Sequence, residues 1–375
     1  MSSLIYLDNA ATTYPKPKCV VDAVRDAMLY KAGNPGRASH KLSRKAAELI
    51  YDTREIAAGM FGASSQNIVF TMNATHALNF AIKGLAKNGS HILIDNYSHN
   101  AVYRPVISLA KESCCKFDVY DASGNTESIV DDIKRKLRPD TSIIIATHQS
   151  NICSKTLPIY DIGKLCRERN ICFIVDASQS AGHTSIDLVR DNISALCLPG
   201  HKGLFGPMGV GMLISADGIK YKTMIEGGAG ILSLDSGMPE DLPERLEAGT
   251  LPLSSIAGLN AGMKWVLGIG IEKIRDYERM LSEIISRESA RINGMKIYGE
   301  PGGSVVSFNI IGRSPAEIGE HLSSRGICVR TGYHCAPLAH KTVGSFEKGS
   351  VRIGLSYMNK PSDIHALFDG LRELN

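Results

Sequence analysis

Short apolar runs alternate with longer amphipathic stretches from about residue 66 to residue 215. The apolar runs are typical of buried β-strands and cover residues 68–71, 91–95, 116–120, 142–147, 172–176, 193–198 and 209–214. Between the earlier runs, helical periodicity covers residues 75–86, 127–137 and 159–169. This alternation predicts a mostly parallel sheet with helices on both faces. Ligands of such sheets bind at the carboxyl ends of the strands.

The pattern changes after about residue 253. Helical patterns cover residues 254–268 and 271–291, apolar runs cover 305–310, 327–330 and 350–356, and a terminal helix is predicted after Pro361. We interpret this part as a second, smaller α+β domain. The stretch 226–252 contains Gly and Pro and has no clear periodicity, so it is either a linker or a functional loop.

Composition and charge exclude several classes of protein. The 375 residues carry a formal net charge of only +4, spread evenly along the chain, so a nucleic-acid-binding surface is not expected. No apolar run approaches the length of a membrane span, and we expect no membrane partner. The nine cysteines are an odd number without C-x-x-C spacing, and most lie in apolar runs. We therefore expect small buried side chains in a reducing compartment, the cytoplasm.

Two charged residues lie close to predicted strand ends. Lys202 lies in a glycine-rich loop between two apolar strands; it is either an ordinary surface lysine or an amine that forms a Schiff base with a carbonyl. Asp176 ends an apolar strand. It either caps a helix or holds a cationic ring nitrogen of a cofactor.

Other strand-end and loop residues have the same two kinds of interpretation. Thr75 lies where a strand leads into a helix, a place suited to phosphate binding or to plain helix capping. His99 is either a satisfied polar residue or a ring that stacks on a cofactor. Arg352, in a predicted strand, is either an ion-pair partner or a clamp for a carboxylate.

One cysteine differs from the other eight. Cys335 lies in a polar loop beside Arg330 and His334, which favour a thiolate. The adjacent His334 and Cys335 also fit a metal site, but no further ligands occur nearby at suitable spacing. We therefore expect a reactive thiol and no metal ion.

Taken together, these residues resemble a cysteine desulfurase of the class V aminotransferase family, whose members are fold type I pyridoxal-phosphate enzymes. The similarity runs from Tyr6-Leu7-Asp8-Asn9-Ala10-Ala11-Thr12-Thr13 to Arg352, and the Arg-x-Gly-x-His-Cys-Ala motif at 330–336 resembles the group II type. The stretch 33–40 also resembles a bacterial subfamily of desulfurase-like proteins.

The resemblance implies a fold and a domain organisation. The expected fold is that of an α/β fold type I transferase, with a mostly parallel seven-stranded sheet in a large domain and a smaller C-terminal α+β domain. The expected bounds are 1–15 for an N-terminal arm associated with the small domain, 16–253 for the large domain and 254–375 for the small domain.

The resemblance also implies a role for each matching residue. The residues expected to hold pyridoxal 5'-phosphate are Lys202 (Schiff-base lysine), Asp176 (ring nitrogen), Gln179 (ring hydroxyl), His99 (ring stacking), and Ala74, Thr75 and His201 (phosphate). Thr250 is expected to reach the phosphate in the neighbouring subunit of a homodimer. Asn151 and Arg352 match positions that hold the substrate carboxylate, and Cys335 matches the nucleophile that becomes a persulfide. Lys202, His99 and Cys335 form the catalytic set.

The implied reaction converts L-cysteine into L-alanine and leaves sulfur on Cys335, from which an acceptor protein can receive it. Alternatives in the same family are a selenocysteine lyase and a cysteine-sulfinate desulfinase, in which the leaving group departs without the thiol. A true aminotransferase would leave Cys335 idle. An alternative of another class is a non-catalytic scaffold that binds sulfur carriers. A nicotinamide-dependent dehydrogenase is disfavoured because no G-x-G-x-x-G follows the first strand of the sheet.

Overall fold

The structure is a computed structural model that describes residues 4–35, 40–299 and 302–374. Most of the expected arm, residues 4–15, falls within this range. Residues 36–39 of the subfamily-like stretch 33–40 lie outside the described residues, as do residues 1–3 of the arm.

The described residues form thirteen strands and eleven α-helices in chain order. The strands are β1 (Ile5–Tyr6), β2 (Ile68–Thr71), β3 (Ser90–Asp95), β4 (Cys115–Tyr120), β5 (Thr141–Thr147), β6 (Cys172–Asp176), β7 (Ala195–Pro199), β8 (Gly211–Ser215), β9 (Met295–Tyr298), β10 (Val305–Ile310), β11 (Ile327–Cys328), β12 (Arg330–Gly332) and β13 (Ser350–Gly354). The helices are α1 (Lys18–Tyr30), α2 (Lys41–Phe61), α3 (Ala74–Leu85), α4 (Asn100–Lys111), α5 (Thr126–Lys136), α6 (Ile159–Glu168), α7 (Leu253–Ile269), α8 (Ile271–Ser289), α9 (Pro315–Ser324), α10 (Pro337–Val343) and α11 (Pro361–Arg372).

The large sheet has seven strands in the order β2-β8-β7-β6-β5-β3-β4. Only β8 runs antiparallel to its neighbours, β2 and β7; the other pairs are parallel. The carboxyl ends of β3, β5, β6 and β7 therefore meet at one edge. This arrangement confirms the predicted mostly parallel seven-stranded sheet.

Both faces of the large sheet are buried, which explains why its strands are apolar at consecutive positions. Alternate residues of β5 belong to two separate cores: Ile143 and Ile145 pack with α3 and α4, whereas Ile144 packs with α2, α5 and α6. This alternation follows from the two-residue period of a strand.

The C-terminal part contains a four-stranded antiparallel sheet in the order β12-β13-β10-β9. Strand β1 pairs in parallel with β11, joining Ile5 to Ile327. The N-terminal segment therefore contacts the C-terminal part, while the division into an arm and two domains stays a prediction.

One predicted strand of this part is wrong in detail. The run 327–330 is not a single strand, because β11 pairs with β1 and β12 pairs with β13. The chain changes partner at Val329, which lies between the two short strands. The unpatterned stretch 226–252 contains no helix or strand.

Candidate active site

Lys202 lies in the loop between β7 and β8. The loop packs closely against the turn after β6, since a Cβ on Gly203 would lie 2.3 Å from the carbonyl oxygen of Ala181. The pKa of the Lys202 amine is lowered to about 8, first because the surrounding protein removes water and then because the Arg352 guanidinium is near. A substantial fraction of this amine is therefore neutral near pH 8, and the neutral form is the one that attacks a carbonyl.

Asp176 is the last residue of β6 and is 3% exposed. The backbone N–H of Ser178 donates to its Oδ1 at 2.9 Å, and the Ser178 hydroxyl donates to the same oxygen. Burial raises the pKa of Asp176, while the bonds from Ser178 and the charge of Lys202 act in the opposite direction. No helix occurs in the described residues 177–194, so the helix-cap interpretation of Asp176 is wrong.

His99 precedes α4 and caps it, because its Nδ1 accepts a hydrogen bond from the backbone N–H of Ala101 at 3.0 Å. An accepting nitrogen carries no proton, so the ring is the Nε2–H tautomer. Burial, followed by the charge of Lys202, lowers the pKa of His99 to about 3. The residue is therefore a neutral flat ring at physiological pH.

The loop before His99 is fixed by the buried carboxylate of Asp95. This carboxylate accepts hydrogen bonds from the backbone N–H groups of Tyr97 and Thr147, both at 2.8 Å, and from the Ser98 hydroxyl at 3.0 Å. Asp95 thus ties the end of β3 to the end of β5.

The N-terminus of α3 faces the same edge of the sheet. Asn73, and not Thr75, caps this helix, since its Oδ1 accepts from the backbone N–H of His76 at 3.0 Å. A Cβ on Gly211 would lie 2.8 Å from the carbonyl carbon of Asn73, so a glycine lets β8 approach the cap. Ala74 and Thr75 follow in the first turn, where backbone N–H groups and the helix dipole favour an anion.

One pocket at this edge brings together eight of the predicted residues: Ala74, Thr75, His99, Asn151, Asp176, Gln179, His201 and Lys202. Within it, the Gln179 amide donates to the carbonyl oxygen of Ala10 at 3.0 Å. Burial and the charge of Lys202 lower the pKa of His201 to about 4. The sequence therefore identified most of the lining of this pocket.

Four buried polar atoms around the pocket lack a hydrogen-bond partner among the described residues. They are Thr147 Oγ1, Gln149 Oε1, Asn151 Oδ1 and His201 Nδ1. Buried polar atoms are nearly always hydrogen-bonded. The pocket is therefore built to receive a polar ligand.

Arg352 lies in β13 and is 1% exposed. One terminal nitrogen pairs with Asp8 Oδ1 at 2.9 Å, and the other donates to the carbonyl oxygen of Asn151 at 3.3 Å. Its Nε is buried without a partner in the described part of the chain. In this conformation Arg352 is an ion-pair member, and it reaches the pocket through its contact with Asn151.

Cys335 is exposed at the rim of the pocket. It lines a groove next to the pocket, and Thr75 and His99 lie between the two because they line both. Its carbonyl oxygen accepts from the backbone N–H of Asn100 at 2.8 Å, which ties the cysteine loop to the start of α4. Cys335 and the preceding His334 both have positive φ angles, 56° and 48°.

Thr250 is the one predicted site residue that lies apart from the others. It lines a separate cavity with Arg54 and Glu247. The role predicted for Thr250 is a contact with the cofactor of the neighbouring subunit. The position of Thr250 within one chain does not test that contact, so the role stays a prediction.

Several residues of the site were not identified from the sequence. Thr147 is the last residue of β5 and Gln149 lies two residues after it, so the strand-end rule that identified Asp176 would have found them. Asp8 and Ser178 carry no comparable signal, because their partners are distant in sequence or are set by a local turn.

Across residues 4–35, 40–299 and 302–374, no group of three or more His, Cys, Asp or Glu side chains is arranged to hold a metal ion. None of the helices described here is long and apolar enough to cross a bilayer. Eight cysteines are free thiols: Cys19, Cys114, Cys115, Cys166, Cys172, Cys197, Cys328 and Cys335. Among those expected to pack inside the protein, Cys114, Cys172 and Cys328 are only partly buried and Cys19 on α1 is exposed, contrary to that expectation.

The family model described as "Aminotransferase class-V" matches residues 5–367. The chain belongs to this family. Class-V aminotransferases depend on pyridoxal 5'-phosphate. The alternatives of a scaffold outside enzyme chemistry and of a dehydrogenase therefore give way to a pyridoxal-phosphate-dependent enzyme.

Relatives of this class-V aminotransferase family member cover nearly its whole length. The probable cysteine desulfurase of Methanothermobacter thermautotrophicus is 31% identical over 381 residues, which are 99% of this chain and 94% of that protein. The probable cysteine desulfurase of Pyrococcus abyssi is 30% identical over 384 residues, with the same coverage of both chains.

Solved structures agree with this assignment. The apo structure of a cysteine desulfurase from Thermococcus onnurineus superimposes with a TM-score of 0.91 at 30% identity, covering 99% of this chain and 94% of the other. An Escherichia coli cysteine desulfurase matches with a TM-score of 0.90 at 23% identity, over 99% and 94% of the two chains, and supports the fold. The predicted fold type I architecture is confirmed.

Proposed function

We propose that this chain is a pyridoxal-phosphate-dependent cysteine desulfurase that converts L-cysteine into L-alanine and receives the sulfur on Cys335. The observation that carries the proposal is the position of an exposed thiol at the rim of a pocket that contains Lys202, Asp176 and His99. The full-length relatives named cysteine desulfurases support it.

The residues of the pocket fit pyridoxal 5'-phosphate. Lys202 supplies the amine, the buried carboxylate of Asp176 suits a protonated ring nitrogen, and the neutral ring of His99 suits stacking. The unpartnered His201 Nδ1 and the N-terminus of α3, with Ala74 and Thr75, suit a phosphate. When bound, the cofactor supplies an electron sink for carbanion chemistry at the substrate Cα.

The protein's own residues then bind the substrate and move its protons. Arg352 and Asn151 hold the substrate carboxylate, and the Asp8 carboxylate keeps the Arg352 guanidinium in place before binding. Lys202, with its lowered pKa, takes the proton from the substrate Cα.

Cys335 performs the sulfur transfer. Its thiol loses a proton, and the Sγ lone pair forms a bond to the substrate sulfur while the substrate Cβ–S bond breaks. The electron pair of the broken bond remains with the carbon fragment, which takes up protons to become the methyl group of alanine. The sulfur is oxidised to a persulfide as Cβ is reduced, so L-cysteine and the enzyme thiol give L-alanine and the enzyme persulfide.

A pair of cysteine variants tests this proposal. In Cys335→Ala the nucleophile is lost, so we expect alanine release from L-cysteine to fall at least about 100-fold. The added mass of one sulfur atom on the protein is expected to disappear. The matched control is Cys19→Ala, which removes another exposed thiol and is expected to leave both readouts unchanged.

Undiminished alanine release by Cys335→Ala would show that the role given to Cys335 is wrong. Comparison of the rates on cysteine, selenocysteine and cysteine sulfinate then distinguishes a desulfurase from a lyase or a desulfinase, because the last two leaving groups need no thiol. Dependence on a keto acid acceptor would instead identify an aminotransferase.

We further infer that the enzyme is a homodimer of the cytoplasm that passes its sulfur to an acceptor protein. The segment 224–234 exposes five large apolar side chains, Met224, Ile225, Ile231, Leu232 and Leu234. Such a concentration is typical of a surface that another chain covers. Eight free thiols, those of all the cysteines except Cys153, support a reducing compartment.

A further inference from the structure

Two buried histidines and a serine form a hydrogen-bonded array beside Cys335. The His334 Nε2 bonds to the carbonyl oxygen of Arg330 at 3.3 Å, and His334 Nδ1 lies 3.3 Å from His340 Nε2. The His340 Nδ1 lies 2.7 Å from the Ser345 hydroxyl. We call His334, His340 and Ser345 the His–His–Ser array.

The partners fix the direction of every hydrogen bond in the array. A backbone carbonyl oxygen can only accept a hydrogen bond. The His334 Nε2 therefore carries a proton and donates a hydrogen bond to the Arg330 carbonyl oxygen. In a neutral ring the His334 Nδ1 then accepts, and His340 Nε2–H is its donor. The His340 Nδ1 consequently accepts from the Ser345 hydroxyl. Each ring nitrogen is therefore either a donor or an acceptor, with no alternative arrangement.

Burial keeps both imidazoles neutral. His334 is 3% exposed and His340 is fully buried. Loss of water, followed by the charge of Arg352, lowers the pKa of His334 to about 2, and loss of water lowers that of His340 to about 4. The planes of the two rings differ by only 17°. The array therefore keeps one protonation state at physiological pH.

The array holds a backbone conformation that the chain disfavours. His334 and Cys335 are consecutive residues with left-handed φ angles, and such residues persist only where their surroundings hold them. Residues near the large sheet hold both carbonyl oxygens. The Asn151 amide donates to that of His334 at 2.9 Å, and the backbone N–H of Asn100 donates to that of Cys335 at 2.8 Å. The array fixes the same residues from the side of α10.

We propose that His340 is a positioning residue for Cys335: by donating to His334 and accepting from Ser345, it holds the Cys335 thiol at the rim of the pocket. This role rests on the proposed function of Cys335 as the sulfur nucleophile. His340 touches neither the pocket nor the thiol through a hydrogen bond among the described residues. Its effect on the reaction is therefore geometric.

The test uses two substitutions in the cofactor-loaded enzyme. His340→Phe keeps a ring of similar size but removes all hydrogen bonds of the imidazole, those to His334 and Ser345 and the one to the Tyr333 backbone. His340→Gln retains an amide that can donate to the His334 Nδ1. In single-turnover experiments we expect His340→Phe to slow persulfide formation about 100-fold, the cost of a misplaced reacting group. We expect an unchanged KM for cysteine and partial recovery in His340→Gln.

A second readout follows the loop without any reaction. Hydrogen exchange of a peptide that spans residues 330–345 is expected to be faster in His340→Phe than in the wild type. The matched control is His365→Phe, which replaces an exposed histidine on α11, outside the array; it is expected to leave exchange in 330–345 unchanged.

The pH profile separates positioning from acid–base catalysis. For a positioning residue, His340→Phe lowers the rate by the same factor from pH 6 to 9. The proposal is overturned if His340→Phe loses one limb of the pH–rate profile. It is also overturned if His340→Phe changes neither the hydrogen exchange of residues 330–345 nor the rate of persulfide formation. If the wild type forms no persulfide, the proposed function fails instead, while the exchange experiment still decides whether His340 holds the loop.

Discussion

Burial shifts the pKa values of four titratable side chains around the pocket away from their ordinary values. The pKa values of Lys202, His99 and His201 are lowered, to about 8, 3 and 4, and that of Asp176 is raised. Each displacement favours the neutral form, which is the expected result of removing water from a pocket. A cofactor that brings a cationic ring and an anionic phosphate would restore favourable partners to these groups.

The lowered pKa of Lys202 predicts how the apoprotein captures pyridoxal phosphate. Only the neutral amine attacks an aldehyde, so the capture rate is expected to rise with pH and level off above about pH 8. Stopped-flow absorbance measures this rate, and Lys202→Ala provides the baseline from surface lysines. In Arg352→Met a neighbouring cation is lost, so the midpoint is expected to move to higher pH; an unmoved midpoint would contradict the assigned cause.

Residues at strand ends were predictable because their chemistry and their place in the sheet follow from local patterns. Asp176, His99 and Lys202 each lie at, or a few residues after, the carboxyl end of a strand whose residues are apolar at consecutive positions. Asp8 was not predictable, because its interaction with Arg352 joins residues 344 positions apart. Such a contact depends on the packing of β1 beside the C-terminal sheet.

At the scale of elements, the buried strands were predicted best. Their bounds differ from the apolar runs by at most two residues, and β2 and β6 agree fully. The antiparallel direction of β8 was not predictable, since the pattern of apolar residues is the same in either direction. The strands β9 and β12 and the helix α10 are short, so they offer too few periods for recognition.

A buried ion pair joins helix α2, strand β2 and the segment 226–252. Arg54 on α2 pairs with Glu247, whose two oxygens lie 3.1 and 2.7 Å from the guanidinium nitrogens. Glu247 also accepts from the backbone N–H of Phe70 in β2 at 2.6 Å. Both charged residues are 9% exposed. The pair therefore anchors the segment that carries Thr250.

Removal of one partner is expected to cost more than removal of both. In Glu247→Leu the Arg54 guanidinium stays buried without its counter-charge and keeps only the Ile68 carbonyl oxygen and the Phe70 ring as partners. We expect the free energy of unfolding to fall by about 3–5 kcal/mol. In the double variant Arg54→Met, Glu247→Leu most of this loss is expected to return. Urea denaturation followed by circular dichroism measures both, and a double variant as unstable as the single one would contradict this account.

At the scale of the whole molecule, the N-terminal segment links the two parts around the site. Its strand β1 pairs with β11, and Asn9 donates to the carbonyl oxygen of Gly354 at 2.9 Å. Further along, Thr12 and Lys16 donate to the carbonyl oxygen of His201, at 3.1 and 2.8 Å. The segment thus contacts the strand of Arg352 and the peptide bond that precedes Lys202.

The proposed dimer predicts that two defective variants repair each other. If Thr250 acts on the cofactor of the neighbouring subunit, a hybrid of Thr250→Ala and Lys202→Ala subunits contains one complete site, made of Lys202 from the first and Thr250 from the second. Each variant alone is expected to be a dimer by light scattering, with weak cofactor affinity in Thr250→Ala and no activity in Lys202→Ala.

The measurement mixes the two variants at limiting cofactor, after partial denaturation and refolding to exchange subunits. Random pairing makes half of the dimers hybrids, so alanine release is expected to exceed the sum of the separate variants. The control mixes Lys202→Ala with Cys19→Ala, in which every subunit keeps Thr250, and is expected to give no gain over the sum of the separate variants. If Thr250 acted within its own chain, the Lys202 site of the hybrid would still lack it, and no gain would appear.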